Sequence, residues 1–327
     1  MHRRTFLETG ARLAIAGALP RNALARRGAS VAKPYLDAHV HPTSPALVAY
    51  RRMQGGRGDT PTDGAALVKQ MDADGVRRAF ALSTAYQMAS DYNRREPVSE
   101  IAEHARVALD NDFTAEQCAR FPDRLVPFLS VNPKRGYAVE EIDRCVERLK
   151  MRGLKLHLWN SMVDTRQDGD LGSLKRVVGH AAARGLPVVA HIFVGAVTNY
   201  GGDDTERFVR EVIAPFDTLK ISIAHLAGAG RFAAQPQECF ERLITLCGPG
   251  TKLAHRVWTD MAAILMPTTP AADVARFAEL APRWGYERLF WGSDSIEGAL
   301  AERERTWPLG EAAWQAIANN RGEGFSA

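Results

Sequence analysis

The stretch Tyr35-Leu36-Asp37-Ala38-His39-Val40-His41-Pro42 has the composition of the first β-strand of the folded chain. Side chains alternate across a strand, so Asp37, His39 and His41 are expected on one face and the three apolar residues on the other. Two imidazoles on one face are costly to bury unless their ring nitrogens are satisfied, and a divalent cation satisfies them. Two core histidines that are hydrogen-bonded to carbonyl groups are the alternative interpretation.

After this strand, short β-branched or aromatic runs alternate with longer helical stretches, which indicates βα units and a parallel sheet. The other predicted strands are Arg77–Ser83, Leu125–Val131, Leu154–Leu158, Pro187–His191, Leu219–Ala224, Lys252–Thr259 and Arg288–Trp291. The predicted helices include 65–74, 139–151, 173–184, 207–212 and 311–319. Eight strands with intervening helices predict a single-domain α/β fold, a (β/α)8 TIM barrel over residues 35–327.

The N-terminus resembles a twin-arginine signal peptide. Arg3-Arg4-Thr5-Phe6-Leu7 precedes a short apolar run rich in Ala and Gly, and Ala23-Leu24-Ala25 has the form of a cleavage site. The apolar run is too short to span a bilayer. We therefore expect residues 1–25 to be removed, 26–34 to be a linker, and the mature protein to reside in a bacterial periplasm without a stable membrane anchor. An N-terminal amphipathic helix is the alternative.

The charge balance excludes some classes of partner. Residues 1–25 hold four arginines and one glutamate, so the remainder carries 38 basic against 37 acidic residues. This balance gives no reason to expect a nucleic acid as partner. We expect a small-molecule substrate and leave a homodimer open.

The four cysteines show neither a CxxC pair nor the spacing of a zinc finger. Each lies in a stretch that is predicted to be an outer helix, so we expect buried or half-buried thiols. A disulfide stays open as the alternative if the protein is exported. These cysteines are Cys118, Cys145, Cys239 and Cys247.

Residues of the types that bind metals also stand at the ends of other predicted strands. His191 ends the fifth strand, His225 follows the sixth and Asp294 follows the eighth. The fourth strand carries Lys155 and His157 on one face. A barrel brings the carboxyl ends of all its strands to one rim, where its functional residues gather, so we expect these side chains to be neighbours.

In this order, His39-Val40-His41, His191, His225 and Asp294 resemble the amidohydrolase superfamily of metal-dependent barrels. Gly153-Leu154-Lys155-Leu156-His157 and Trp291-Gly292-Ser293-Asp294 are similar to stretches of the branch that includes aminocarboxymuconate-semialdehyde decarboxylase. The resemblance implies that His39, His41, His191 and Asp294 bind the metal. It implies that His225 is a further ligand or a group that polarises the substrate. One divalent ion is expected, with Zn²⁺ favoured over Mn²⁺, Fe²⁺ or Co²⁺.

Several of these residues have structural alternatives. His191 could be a hydrogen-bonded core histidine, Asp294 could cap the following helix, and His157 is interpreted as structural or as supporting a ligand. In some relatives a lysine at the position of Lys155 is carbamylated and bridges two metals. We favour one metal, with Lys155 as a cation for a substrate carboxylate.

The resemblance implies a hydrolase that acts on an amide, lactone or ester bond of a small molecule. Asp294 would take a proton from the attacking water and deliver it to the leaving group, while His225 would hold the carbonyl oxygen. The alternative is a non-oxidative decarboxylase of a small aromatic or unsaturated carboxylic acid, and a binding protein with a degenerate site is the third hypothesis. A deaminase is disfavoured because no His-x-x-Glu follows the fifth or sixth strand.

The candidate substrate contacts are Lys155, Trp159 and Arg231, which lie in or after the fourth and sixth strands. Two loops are predicted near the same rim. The first runs from Pro42 to Asp63 and could close over the site. The second runs from Phe193 to Asp204 and is interpreted either as a lid or as a plain solvent loop.

Overall fold

The computed structural model describes residues 32–56, 60–95, 97–193, 200–228 and 232–325, without the side chains of 302–305. The predicted signal peptide 1–25, most of the predicted linker 26–34 and the predicted substrate contact Arg231 lie outside these residues. Within the described part of the chain, no helix combines the length and the apolar character that crossing a bilayer requires.

Eight parallel strands pair in chain order and curl into a nearly closed barrel, which confirms the predicted single-domain (β/α)8 TIM barrel. The strands are β1 Leu36–Val40, β2 Arg78–Leu82, β3 Leu125–Ser130, β4 Gly153–His157, β5 Val188–His191, β6 Ile221–Ile223, β7 Val257–Asp260 and β8 Leu289–Phe290. The N–H of Ala38 donates to the carbonyl of Trp291 at 2.9 Å, and the N–H of Asp294 donates to the carbonyl of His39 at 2.8 Å. These bonds join the last strand to the first.

Helices follow the strands around the barrel. The α-helices are Pro45–Met53, Gly64–Asp74, Glu100–Ala119, Ala138–Leu149, Leu158–Ser161, Asp168–Ala183, Gly202–Phe208, Ala234–Cys247, Ala271–Trp284, Ala299–Thr306 and Glu311–Ala318. Single 3₁₀ turns occur at Ala85–Gln87 and Tyr286–Arg288, a turn with left-handed backbone at His225 and Leu226 occurs at Ala224–Ala227, and a π-helical turn occurs at Val209–Ile213. The four cysteines lie in these helices as buried free thiols, as predicted.

The first βα connection is not the plain loop predicted for 42–63, because it contains the helix Pro45–Met53. Ser44 caps this helix, since its Oγ accepts the N–H of Leu47 at 3.0 Å, and Pro45 occupies the first turn. Serine at the cap and proline just inside a helix are the usual signals for a helix start. The prediction overlooked this local signal.

The predicted seventh strand began too early. Residues 251–256 form turns, and the strand is Val257–Asp260. The Arg256 guanidinium donates to the carbonyls of Ile213 and Phe216, at and just after the end of the π-helical turn Val209–Ile213. Both carbonyls also accept a backbone N–H, and the arginine adds a second bond to each, which ties the turn before β7 to this segment. The predicted helix 207–212 also has different bounds in the structure. It covers the last residues of the helix Gly202–Phe208 and most of the π-helical turn Val209–Ile213.

β1 does not alternate as predicted. Leu36 and Ala38 pack in the core cluster with Phe80 of β2, whereas Val40 packs in a separate cluster with Leu67 of a covering helix. The pairing with β2 shifts register between Asp37 and Val40, as in a β-bulge. An extra residue in one strand reverses the facing of the side chains that follow. Because of the bulge, Val40 points away from the core cluster that contains Leu36 and Ala38.

Phe325 fills part of the barrel core, and its side chain is fully buried. Its ring lies 5.5 Å from Trp258, 5.7 Å from Phe80 and 5.7 Å from Phe290. We expect Phe325→Ala to lower the free energy of unfolding by about 3–5 kcal/mol, because it opens a cavity among large rings. Urea denaturation checks this value, with Phe325→Leu as the milder control, and an unchanged midpoint for Phe325→Ala would contradict it.

Candidate metal centre

Histidine and aspartate side chains meet at the carboxyl ends of the strands. The ring of His39 lies 5.0 Å from that of His41 and 4.7 Å from that of His225. Oδ1 of Asp294 is 3.5 Å from Nε2 of His41 and 3.8 Å from Nε2 of His39. One potential ligand atom from each of His39, His41 and Asp294 lies within 4.8 Å of the other two. The barrel thus gathers residues from β1 and from the loop after β8 around one point.

Three of these rings have their Nδ1 atoms committed to acceptors. Nδ1 of His39 is 3.0 Å from Oδ2 of Asp260, Nδ1 of His41 is 2.9 Å from the carbonyl of Leu82, and Nδ1 of His225 is 2.9 Å from the carbonyl of Ala262. Carboxylates and carbonyls only accept hydrogen bonds, so each Nδ1 carries the proton. In its neutral form, each ring then has its lone pair on Nε2, the arrangement of metal-binding histidines.

Asp260, the last residue of β7, is a site residue that the sequence prediction missed. Besides holding His39, its Oδ1 accepts the backbone N–H groups of His225 at 3.0 Å and Ala262 at 3.1 Å. One buried carboxylate therefore orients two histidines. Its sequence signal is a strand that ends in an acidic residue, and the predicted strand stopped one residue short of it at Thr259.

Lys155 reaches the same point from β4. It is 1% exposed, and its Nζ lies 3.0 Å from Nε2 of His39. Burial lowers the pKa of Lys155 to about 8, and burial together with Lys155 lowers the pKa of His39 to about 3. His39 is therefore neutral at pH 7, and its lone pair faces a cationic group. The His39 lone pair accepts a hydrogen bond from this ammonium group, and an ion bound by His39 would have to replace that bond.

His191 lies beside this group rather than inside it. Its ring is 5.2 Å from that of His225 and stacks on His157 at 4.1 Å. Its Nε2 is buried and has no hydrogen-bond partner among the described residues. An unsatisfied buried nitrogen costs about 1–3 kcal/mol, so its presence favours a ligand that completes it. The imidazole and carboxylate donors, the Nδ1–H tautomers and this orphaned atom thus fit a divalent cation.

The backbone at the strand ends is strained. His225 has φ 54° and Asp294 has φ 56°, a left-handed conformation that is uncommon for residues other than glycine. Gly292 allows a close approach, because a Cβ there would lie 3.0 Å from Cβ of His39 and 2.9 Å from Cβ of Ala262. The Trp-Gly-Ser-Asp stretch after β8 therefore needs its glycine to place Asp294 against β1.

Two other predicted residues lie at the rim. Trp159 is partly buried in the short helix after β4, and its ring lies 5.9 Å from that of Tyr92. His157 ends β4, and Tyr86, which the sequence prediction missed, lies 4.6 Å from it. No periodicity or strand-end signal marks Tyr86, since it sits in a 3₁₀ turn after β2. Arg231 is outside the described residues, so its predicted contact stays a prediction.

Asp37 supports β1 from within the bulge. Its Oδ1 accepts the backbone N–H groups of His39 and Ser293, both at 3.0 Å. Burial, partly offset by the hydrogen bonds of Ser293 and His39, raises the pKa of Asp37 to about 7. The folded state therefore binds a proton that the unfolded chain releases, and this group's contribution to stability falls as pH rises from about 4 to 7.

We expect Asp37→Asn to keep both hydrogen bonds and to remove this pH dependence, so its stability relative to wild type should grow with pH up to about 7. Asp37→Leu should lower the free energy of unfolding by about 2–5 kcal/mol, because two buried N–H groups lose their acceptor. Denaturant titrations at pH 5 and pH 8 check both variants. Parallel pH profiles for wild type and Asp37→Asn would contradict the prediction.

Comparison with known proteins gives a family match. The family profile described as amidohydrolase matches residues 36–315, which is most of the chain. The matched segment contains every predicted metal ligand. No curated protein sequence matches the chain significantly.

Solved structures share the fold at low identity. A 5-carboxyvanillate decarboxylase from Sphingomonas paucimobilis has 17% identity and a TM-score of 0.57, covering 89% of this chain and 98% of its own. A protein of Pseudomonas putida provisionally assigned as 2-pyrone-4,6-dicarboxylic acid hydrolase has 18% identity and a TM-score of 0.59, covering 89% and 96%. A dihydroxybenzoic acid decarboxylase from Polaromonas sp. JS666 with bound manganese has 14% identity and a TM-score of 0.57, covering 90% and 97%. At these identities the likeness establishes the barrel fold and not a reaction.

Proposed function

Because this chain belongs to the amidohydrolase family, we propose that it is a metal-dependent hydrolase that cleaves an amide, lactone or ester bond of a small molecule. One observation carries the proposal. Nε2 of His41 and Nε2 of His39 lie 3.5 and 3.8 Å from Oδ1 of Asp294, while the Nδ1 atom of each ring is held by an acceptor. Neutral imidazoles and a carboxylate form the donor set of a hydrolytic zinc site.

His39, His41 and Asp294 would hold the ion, and His191 would complete the set with its orphaned Nε2. We propose one divalent ion, with Zn²⁺ favoured and Mn²⁺, Fe²⁺ or Co²⁺ able to substitute. Such an ion polarises a substrate carbonyl and makes water acidic enough to attack at neutral pH. Proton transfer and substrate orientation are carried out by side chains of the protein.

Asp294 takes the proton of the attacking water and passes it to the leaving group. His225 has a narrower role than the sequence suggests, because its Nδ1–H is committed to the carbonyl of Ala262. As a neutral ring it can bind the ion or accept a proton through Nε2. Through Nε2 it donates to a substrate oxygen only as an imidazolium.

A non-oxidative decarboxylase is the second candidate, and Lys155 favours it. A buried ammonium group among neutral histidines pairs well with a substrate carboxylate. Two of the structurally similar proteins named above are decarboxylases. The two candidates use the same ligands and differ in the bond that breaks.

Product analysis separates them. Purified mature protein, loaded with Zn²⁺ or Mn²⁺, is incubated with a panel of lactones, esters and amides, followed by acid release, and with aromatic carboxylic acids, followed by CO₂ release. We expect acid release, loss of turnover after chelation, and recovery on adding back one equivalent of metal. CO₂ release alone would favour the decarboxylase, and turnover that survives complete metal removal would refute both.

We also propose export to the periplasm, which the twin-arginine resemblance of residues 1–25 supports. Replacing Arg3 and Arg4 together by lysines should retain the full-length protein in the cytoplasm. Cell fractionation with an antibody against the barrel checks this result. Periplasmic protein of unchanged amount in the double variant would contradict it.

A further inference from the structure

A cavity opens at the same rim of the barrel as the candidate metal centre. It has a volume of about 400 Å³ and lies between the end of the helix Pro45–Met53 and the loop after β2. This volume is in the range of small-molecule sites in proteins. None of the predicted site residues lines the cavity. The residues that do include Arg51, Gln54, Gly55, Gln87 and Arg95.

The lining of the cavity is positively charged. It contains the side chains of Arg51 and Arg95, and no carboxylate belongs to the described residues that line it. A third guanidinium group, that of Arg106, lies 5.7 Å from the centre of the Tyr50 ring, which forms part of the wall. Positive charge of this kind favours an anionic occupant.

Two carboxamides of the wall have their oxygens occupied. The Nε–H of Arg51 donates to Oε1 of Gln87 at 2.8 Å, and the backbone N–H of Arg95 donates to Oε1 of Gln54 at 3.1 Å. Both donors lack acceptor capacity, so these bonds assign the oxygen of each carboxamide. In the described part of the chain, Nε2 of Gln54 meets no acceptor. The cavity therefore offers a neutral N–H donor besides its guanidinium groups.

Arg95 packs against the chain that follows the helix Pro45–Met53. Gly55 has φ 77°, and a Cβ at this position would lie 2.6 Å from Nη1 of Arg95. The guanidinium thus approaches bare backbone that only glycine provides. Arg95 is exposed, and its guanidinium makes no hydrogen bond or ion pair with a described residue. Its N–H groups are therefore accessible to a ligand.

Tyr86 lies between this cavity and the metal centre. Its hydroxyl is 3.5 Å from Nε2 of Gln87, which lines the cavity, and its ring is 4.6 Å from the ring of His157. Tyr86 is buried, so it fills the space between the two regions. The cavity and the centre are thus neighbours on one rim, with one aromatic side chain between them.

We propose that the cavity binds a carboxylate of the substrate that is remote from the bond to be cleaved. The inference rests on the proposed function for the reaction itself. A guanidinium group binds a carboxylate through two parallel hydrogen bonds, and Arg95 supplies these donors. Nε2 of Gln54 supplies a further donor, and Arg51 adds positive charge. The substrate is then a small anionic molecule whose negative charge lies away from the reacting group.

Arg95→Gln tests this site by removing one charge from the cavity. Because Arg95 is exposed and its side chain has no described partner, the thermal midpoint should equal that of wild type. Succinate, titrated into the metal-free protein at low ionic strength, should bind the variant about 10-fold more weakly, since a charge-assisted pair of bonds is lost. Arg52→Gln is the matched control, because Arg52 lies on the same helix but does not line the cavity.

We expect Arg52→Gln to bind succinate as wild type does. Equal succinate binding by wild type and Arg95→Gln would overturn the proposal. Weaker binding by Arg95→Gln in a protein that hydrolyses nothing would support the anion site while refuting the hydrolase. The two hypotheses can therefore fail separately.

Turnover tests whether the bound carboxylate belongs to the substrate. For a hydrolysed substrate that carries a remote carboxylate, Arg95→Gln should raise KM about 10-fold and leave kcat unchanged, because uniform binding energy is lost. For the matched neutral substrate, in which a methyl group replaces that carboxylate, the variant and wild type should have the same KM. An unchanged KM for the charged substrate would overturn the proposal, because the anion in the cavity would then be a separate molecule.

Discussion

Replacing Asp294 by asparagine is expected to lower kcat by about 10²–10⁴-fold, because an amide cannot accept the proton of the attacking water. Asparagine tolerates the left-handed backbone that Asp294 adopts at φ 56°, so the loop after β8 should keep its shape. Loss of activity would then report chemistry and not misfolding. Steady-state kinetics with metal analysis of the same sample provides the measurement.

The control for this variant is Asp143→Asn. Asp143 pairs with His180 and Arg184 on the outer helices and has no contact with the centre. We expect wild-type kcat for the control and a thermal midpoint for Asp294→Asn within a few degrees of wild type. An Asp294→Asn enzyme with more than about a tenth of the wild-type kcat at full metal occupancy would mean that another group takes the proton.

Replacing Asp260 by asparagine is expected to weaken metal binding by about 10- to 100-fold, as loss of a carboxylate behind a metal-binding histidine does. The amide oxygen can still accept the N–H groups of His225 and Ala262 at Oδ1. The amide nitrogen would then face Nδ1 of His39 and donate to it. The His39 proton would move to Nε2, and the lone pair needed for the metal would be lost.

Competition for Zn²⁺ against a chromophoric chelator measures this effect. Asp110→Asn is the matched control, since Asp110 is equally buried but accepts from the hydroxyls of Ser44 and Thr84. Its metal affinity should equal that of wild type. Equal affinity for Asp260→Asn would show that the carboxylate does not set the tautomer of His39.

The fold and most of the centre were predictable because both follow from local patterns. Eight apolar runs separated by helical stretches are visible in the sequence, and the rule that strand ends share a rim predicts from sequence alone that His39, His225 and Asp294 are neighbours. Asp260 obeys the same rule. It was missed only because the end of β7 is ambiguous by one residue.

The β1 bulge and the histidine tautomers depend on contacts between residues far apart in the sequence, which no local pattern reveals. The bulge in β1 is stabilised by Asp37 bonds to Ser293, which lies 256 residues away. The tautomers of His41 and His225 depend on carbonyls of Leu82 and Ala262 in other strands and loops. Such facts arise when the barrel closes, so they are properties of the tertiary structure and not of any single segment.

The hydrogen bond between Lys155 and His39 affects how the protein can bind an ion. Nζ of Lys155 donates to Nε2 of His39, the most buried imidazole of the centre, so the lone pair that would bind an ion is occupied by the ammonium group. Binding of an ion by His39 therefore requires this hydrogen bond to break and the lysine side chain to move away. Ion uptake and the position of Lys155 are coupled for that reason.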